Sequence, residues 1–130
     1  MPSIFSKIIA GEIPCYKIAE NDEFFAFLDI APKTKGHTLV IPKAEIDYIF
    51  DIEDDVLGRM MVFAKSIAIA LKKSVPCKRV GVAVLGLQVP HAHIHLVPFE
   101  QERDMLLGNP KLKLSPDEMA TIAEKIRENM

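Results

Sequence analysis

Three histidines spaced two apart, in the run His91-Ala92-His93-Ile94-His95, are the residues whose types and spacing point most directly to chemistry. In an extended strand alternate side chains share a face at steps of roughly 7 Å, so the three imidazoles should project to one side and Ala92, Ile94 and Leu96 to the other. One histidine in a core is ordinary. Three in alternation each need separate partners for two ring nitrogens, which makes an imidazole-lined face a functional candidate. Two chemistries suit such a face. Imidazole is a common zinc ligand, and a His-x-His pair could chelate one ion if His37 or Asp29 supplied a third ligand. Alternatively, one neutral imidazole attacks phosphorus while its neighbours orient it, hold phosphoryl oxygens and relay protons. Clustering favours the second, because adjacent rings resist a second positive charge and keep the attacker neutral. His93, flanked on both sides, is the natural nucleophile.

The elements that must hold this face can be read around it. Val80 to Val84 reads as a fourth strand, Leu85-Gly86-Leu87 as a turn, and His91 to Val97 as a fifth strand. Upstream, Tyr16 to Leu28 reads as a hairpin turning at Glu20-Asn21-Asp22-Glu23, and His37 to Ile41, ending at Pro42, as a third strand. The pattern predicts an antiparallel, meandering sheet. Ser3 should cap a short, lid-like helix carrying Ile4, Phe5, Ile8 and Ile9 and stopping at Gly11. Asp54 and Asp55 should open a longer helix whose Val56, Met60, Phe63, Ala64, Ile67 and Leu71 cover the sheet. Val62 and Ile69 lie on another side of it, to be covered by a loop or by a second copy of the chain. Ser115, Pro116 and Glu118 form a capping box, with Leu114 stapled to Met119, for a last helix burying Met119, Ile122, Ala123 and Ile126. The linker from Glu100 to Lys113 carries no strong pattern.

At 130 residues, 49% hydrophobic and 26% charged, the chain suits one globular domain, residues 1–130. Sixteen basic and eighteen acidic residues give a net charge of -2, which offers no field for a long nucleic acid but does not bar a single nucleotide. The apolar window from Met60 to Leu71 is too short and too interrupted to span a membrane, and Met1 to Lys7 has no secretory pattern. Cys15 and Cys77 form no metal or disulfide motif. A cytoplasmic location is expected.

Residues 91 to 97, His-Ala-His-Ile-His-Leu-Val, resemble the signature of the histidine triad (HIT) family. Ile4 to Pro14, and Ala26 to Ile30 through His37 to Lys43, look like two further landmarks of that family, so the resemblance spans residues 3–98, with 99–130 a linker and helix. It is similar to the nucleotide-binding, HINT-like branch. The resemblance implies an α+β fold: a five-stranded antiparallel sheet with a central helix, a short N-terminal helix and a C-terminal helix, in a protomer that forms a homodimer. It also implies a phosphoramidase-like hydrolase that cleaves purine nucleotides at the α-phosphorus and requires no metal or other cofactor.

Carried over by position, His93 resembles the nucleophile that becomes nucleotidylated, His95 the residue contacting the phosphate, and His91 and His37 the supporting histidines. Ile4, Phe5, Ile8, Phe27, Asp29, Ile30 and Leu39 match the base and ribose pocket, with Asp29 expected on the ribose hydroxyls. Gln88 stands where many relatives carry Ser or Thr, and can still donate an amide N–H to a phosphoryl oxygen or leaving group. The stretch Val84 to Leu87 is short for the family, and Pro90 offers no backbone donor. A dinucleoside polyphosphate hydrolase is the second reading. From other classes come a nucleotide-binding adaptor with vestigial hydrolysis and a zinc-binding protein.

Overall fold

Apolar residues follow one another without a polar break at 24–28 and 39–42, a pattern that suits strands covered on both faces. A computed structural model describes residues 2–108 and 110–130; Met1, and Asn109 within the linker, lie outside the described residues. Its strands are β1 (Lys17–Glu20), β2 (Phe24–Leu28), β3 (Thr38–Pro42), β4 (Arg79–Ala83) and β5 (Ile94–Phe99), and its helices α1 (Ile4–Ile9), α2 (Asp54–Ser74) and α3 (Pro116–Glu128). Every residue of β2 and β3 is buried. Alternation then sorts them: Phe24, Ala26, Leu28 and Val40 join Ile94 and Leu96 in a core under α2 and α3, while Phe25, Phe27, Leu39 and Ile41 form a smaller cluster with Phe5 of α1.

All pairings are antiparallel, in the order β1-β2-β3-β5-β4. The expected meander therefore holds for β1 to β3 and ends there, because α2 carries the chain across the sheet and β5 returns between β3 and β4. Burial explains the exchange. β5 packs Ile94, Leu96 and Val97 inside, whereas β4, with exposed Arg79 and a central Gly81, has too little apolar surface for an interior position. The expectation that strand pairing runs from His91 is also corrected, since β5 begins only at Ile94. Continuing the register Val40↔Ile94 would put Pro42 opposite Ala92, and proline has no N–H to share. The Ala92 N–H instead donates to the Ile46 carbonyl at 2.7 Å, and the chain bends at His91.

The helix ends follow the sequence closely. The Ser3 hydroxyl accepts the Ser6 N–H, and Ser115 and Glu118 cap each other reciprocally. α2 buries Met60, Ala64, Ile67, Ala70 and Leu71. Val62 and Ile69 remain exposed, so of the two readings for them the covering loop is not met among the described residues. No helix among them is long and apolar enough to cross a membrane.

Gly36, immediately before His37, has φ +87°, and an added Cβ would lie 3.0 to 3.3 Å from Val75, Leu71 and Pro98, whereas Gly86 at φ +82° faces open space. Gly36→Ala should therefore lose clearly more stability than Gly86→Ala, which bears only the roughly 1 kcal/mol of left-handed strain. Denaturant midpoints of the two variants check this; equal losses would show that the close packing at Gly36 relaxes freely.

Candidate active site

The sheet register builds the site. Phe27 pairs with Leu39, Leu39 with His95, and His95 with Ala83, forming one row across four strands. His37 lies two residues before Leu39 and so shares its face. Its Nε2 is 2.9 Å from His95 Nδ1, while the Lys33 N–H donates to its Nδ1 at 2.9 Å. A nitrogen that accepts a backbone N–H carries no proton, so the single proton of neutral His37 sits on Nε2 and is donated to His95 Nδ1. His95 in turn carries its proton on Nε2.

The other two rings are set in the same way. A carbonyl can only accept, so His91 Nε2–H donates to the Pro42 carbonyl at 2.7 Å, leaving Nδ1 to accept the Ser3 hydroxyl at 2.7 Å. His93 Nδ1–H donates to the His91 carbonyl at 2.8 Å. Its Nε2 therefore keeps a free lone pair. The His93 ring stands edge-on to Phe5, with centroids 5.0 Å apart, and 4.9 Å from the ring of His95.

Burial favours the neutral form of His37, His93 and His95. It lowers the pKa of His93, opposed by the bond to the His91 carbonyl and by Asp29. It lowers His37 to about 4, helped by the charges of Lys111 and His93. It lowers His95 to about 4, helped by His37 and His93. A neutral His93 with a bare Nε2 beside an outward His95 N–H is the arrangement a nucleophile and a phosphoryl-oxygen donor require.

Zinc fits these donors poorly. Asp29, His37 and His95 place ligand atoms within 4.8 Å of one another. His37 could offer Nε2 to a metal only by losing its proton there, and its other nitrogen already faces the Lys33 N–H.

The four histidines anticipated from sequence are thus brought together, and His37, His91 and His93 are buried. Phe5, Ile8, Phe27 and Leu39 gather in the smaller apolar cluster beside them. Asp29 lies at its edge, with Oδ2 3.7 Å from His37 Nε2 and Oδ1 accepting the Ala31 N–H. Ile4 and Ile30 are largely exposed, and Gln88 sits on the exposed segment between β4 and β5. Sequence reasoning missed Phe25 and Ile41, which strand alternation from Phe27 and Leu39 would have supplied. It also took Ser3 for a helix cap alone; the short reach from Ser3 to His91 has no local sequence signal.

Fold and site together define an α+β protein whose clustered imidazoles are held by main-chain groups at the edge of a small apolar cluster. The HIT domain matches residues 10–102, and the chain belongs to that family. Adenosine 5'-monophosphoramidase hnt1 of Schizosaccharomyces pombe is 34% identical over 97% of this chain and 96% of its own length. The crystal structure of a Hit-like protein of Bartonella henselae superposes with a TM-score of 0.85 at 30% identity, covering 98% of this chain and 96% of that one. A zinc-bound histidine triad protein of Mycobacterium smegmatis gives 0.80 at 29% identity, covering 97% and 91%.

The lowered pKa values carry a sign. Free histidine titrates at 6.5, and folded His37 and His95 at about 4, so between these values the unfolded chain binds protons that the folded chain refuses. Stability contributed by these rings is present above that window and is lost as pH falls through it. The melting temperature should fall from about pH 7 to about pH 5, above the range where most carboxylates titrate, and His37→Gln should flatten the decline. A wild-type melting temperature that stays level over this range would show that the rings protonate freely.

Proposed function

We propose that this protein hydrolyses purine nucleoside 5'-phosphoramidates, or related adenylated compounds, at the α-phosphorus through a covalent nucleotidyl-histidine on His93. The observation that carries the reading is the lone pair left on His93 Nε2 by the bond from Nδ1 to the His91 carbonyl. The phosphoramidase activity in the name of the fission-yeast relative, which matches nearly end to end, supports the choice of leaving group.

In the proposed cycle the base enters the apolar cluster of Phe5, Phe27 and Leu39, and Asp29 receives the ribose hydroxyls. His93 Nε2 attacks phosphorus, the phosphorus–nitrogen bond breaks, and the amine departs with a proton taken from solvent, which the water of the second step returns. Water then attacks the phosphorus, releases the monophosphate and restores the lone pair. Two moderate steps replace one difficult displacement. The His95 N–H holds a phosphoryl oxygen, and His37 keeps that N–H pointed outward. No step requires a metal.

The reading includes a homodimer, supported by the exposed Val62 and Ile69 of α2, and a reducing, cytoplasmic setting, supported by two free cysteines.

Release of monophosphate from adenosine 5'-phosphoramidate by metal-stripped protein tests the function. His93→Ala should lose several orders of magnitude in kcat, and Gln88→Ala roughly 10²- to 10³-fold, as for a positioning donor. Comparable residual activity in the two variants would remove His93 from the nucleophile's role, and no turnover by the wild type would overturn the function.

A further inference from the structure

The site as built has a charge deficit. His37, His93 and His95 are held neutral and Asp29 is a carboxylate, yet the ligand of the proposed function is an anion. We propose that Lys111, on the linker after β5, is a phosphate-binding residue whose ammonium holds a phosphoryl oxygen of the bound nucleotide beside the His95 N–H. The inference rests on the nucleotide reading of the site and adds to it a residue beyond position 102, where the match to the family domain ends.

Hydrogen bonds place Lys111. The Leu112 N–H donates to the Pro32 carbonyl at 2.8 Å, and Lys33 Nζ donates to the Pro110 carbonyl at 3.1 Å. Both neighbours of Lys111 are thus strapped to the Pro32-Lys33 turn. The main chain of that same turn holds His37, through the Lys33 N–H on Nδ1. Two links therefore connect the linker to the histidine pair.

Charge and availability point the same way. The positive charge of Lys111 acts on both His37 and His95, the pair that the Pro32-Lys33 turn holds. Lys33, the other cation of this turn, is occupied with the carbonyls of Pro110 and Gly108. Lys111 itself is exposed and makes no ion pair or side-chain hydrogen bond among the described residues. It is a cation near neutral imidazoles, free of any ion pair among the described residues, which suits an incoming phosphate.

Calorimetric titration of adenosine 5'-monophosphate and of adenosine into wild type, Lys111→Gln and Lys111→Arg tests the assignment. Lys111→Gln should bind the monophosphate roughly tenfold more weakly, the worth of one charge-assisted hydrogen bond, with adenosine binding unchanged. Lys111→Arg should recover most of the loss, and added salt should weaken the monophosphate more in wild type than in Lys111→Gln. Equal monophosphate affinity in wild type and Lys111→Gln, or equal losses for both ligands, would overturn the role of Lys111 while leaving the nucleotide reading intact. Failure of the wild type to bind either ligand would overturn both.

Discussion

A neutral imidazole has one proton for two nitrogens, and the site depends on where four such protons are placed. Main-chain groups decide it. The Lys33 N–H, the Pro42 carbonyl and the His91 carbonyl each accept or donate in one sense only, and each fixes the ring it touches. A side-chain partner could rotate or titrate; a peptide group within a folded loop does neither. The consequence reaches beyond the rings in contact, because His37 passes its setting on to His95. Among the described residues no side-chain nitrogen or oxygen shut off from solvent lacks a partner, so the arrangement is one that burial permits.

The sheet does more than carry the histidines. Strands buried on both faces divide the apolar residues into a large core that stabilises the fold and a small cluster that serves the site. The larger core and the cluster beside the histidines thus lie on opposite sides of the same strands. Helix α1 closes the smaller side, and its Phe5 contacts Phe27, His91 and His93 together. Burial there also lowers the proton affinity of His93, so the packing of the small cluster helps keep that ring neutral.

Much of this was legible in the sequence, for reasons that differ by element. The Ser115-Pro116-Glu118 cap and the Ser3 to Gly11 helix are local events, governed by neighbours within four residues, and they formed as read. Strand existence was equally plain. Strand order was not, because the choice between β4 and β5 as the inner strand rests on which buries more apolar surface against α2 and β3, a comparison between segments far apart in the chain. The triad spacing singled out the imidazole cluster but misjudged its geometry, since an ideal strand was assumed through His91 where Pro42 on the neighbouring strand interrupts pairing. Tautomers were beyond reach: Lys33 has no polar side-chain signal for a role that its backbone performs.

Ser3 has two attachments in one hydroxyl. Its oxygen accepts the Ser6 N–H that starts α1, and its hydrogen goes to His91 Nδ1. The beginning of the pocket's helical wall and the orientation of a triad ring are therefore one mutational unit. Substitutions at Ser3 and His91 will not combine as independent effects, because either one already breaks the bond the other shares. Threonine at position 3 keeps both functions, whereas alanine removes them in one step. A shift of the helix would in this way reach the His91 ring through a single hydroxyl, without passing through the sheet.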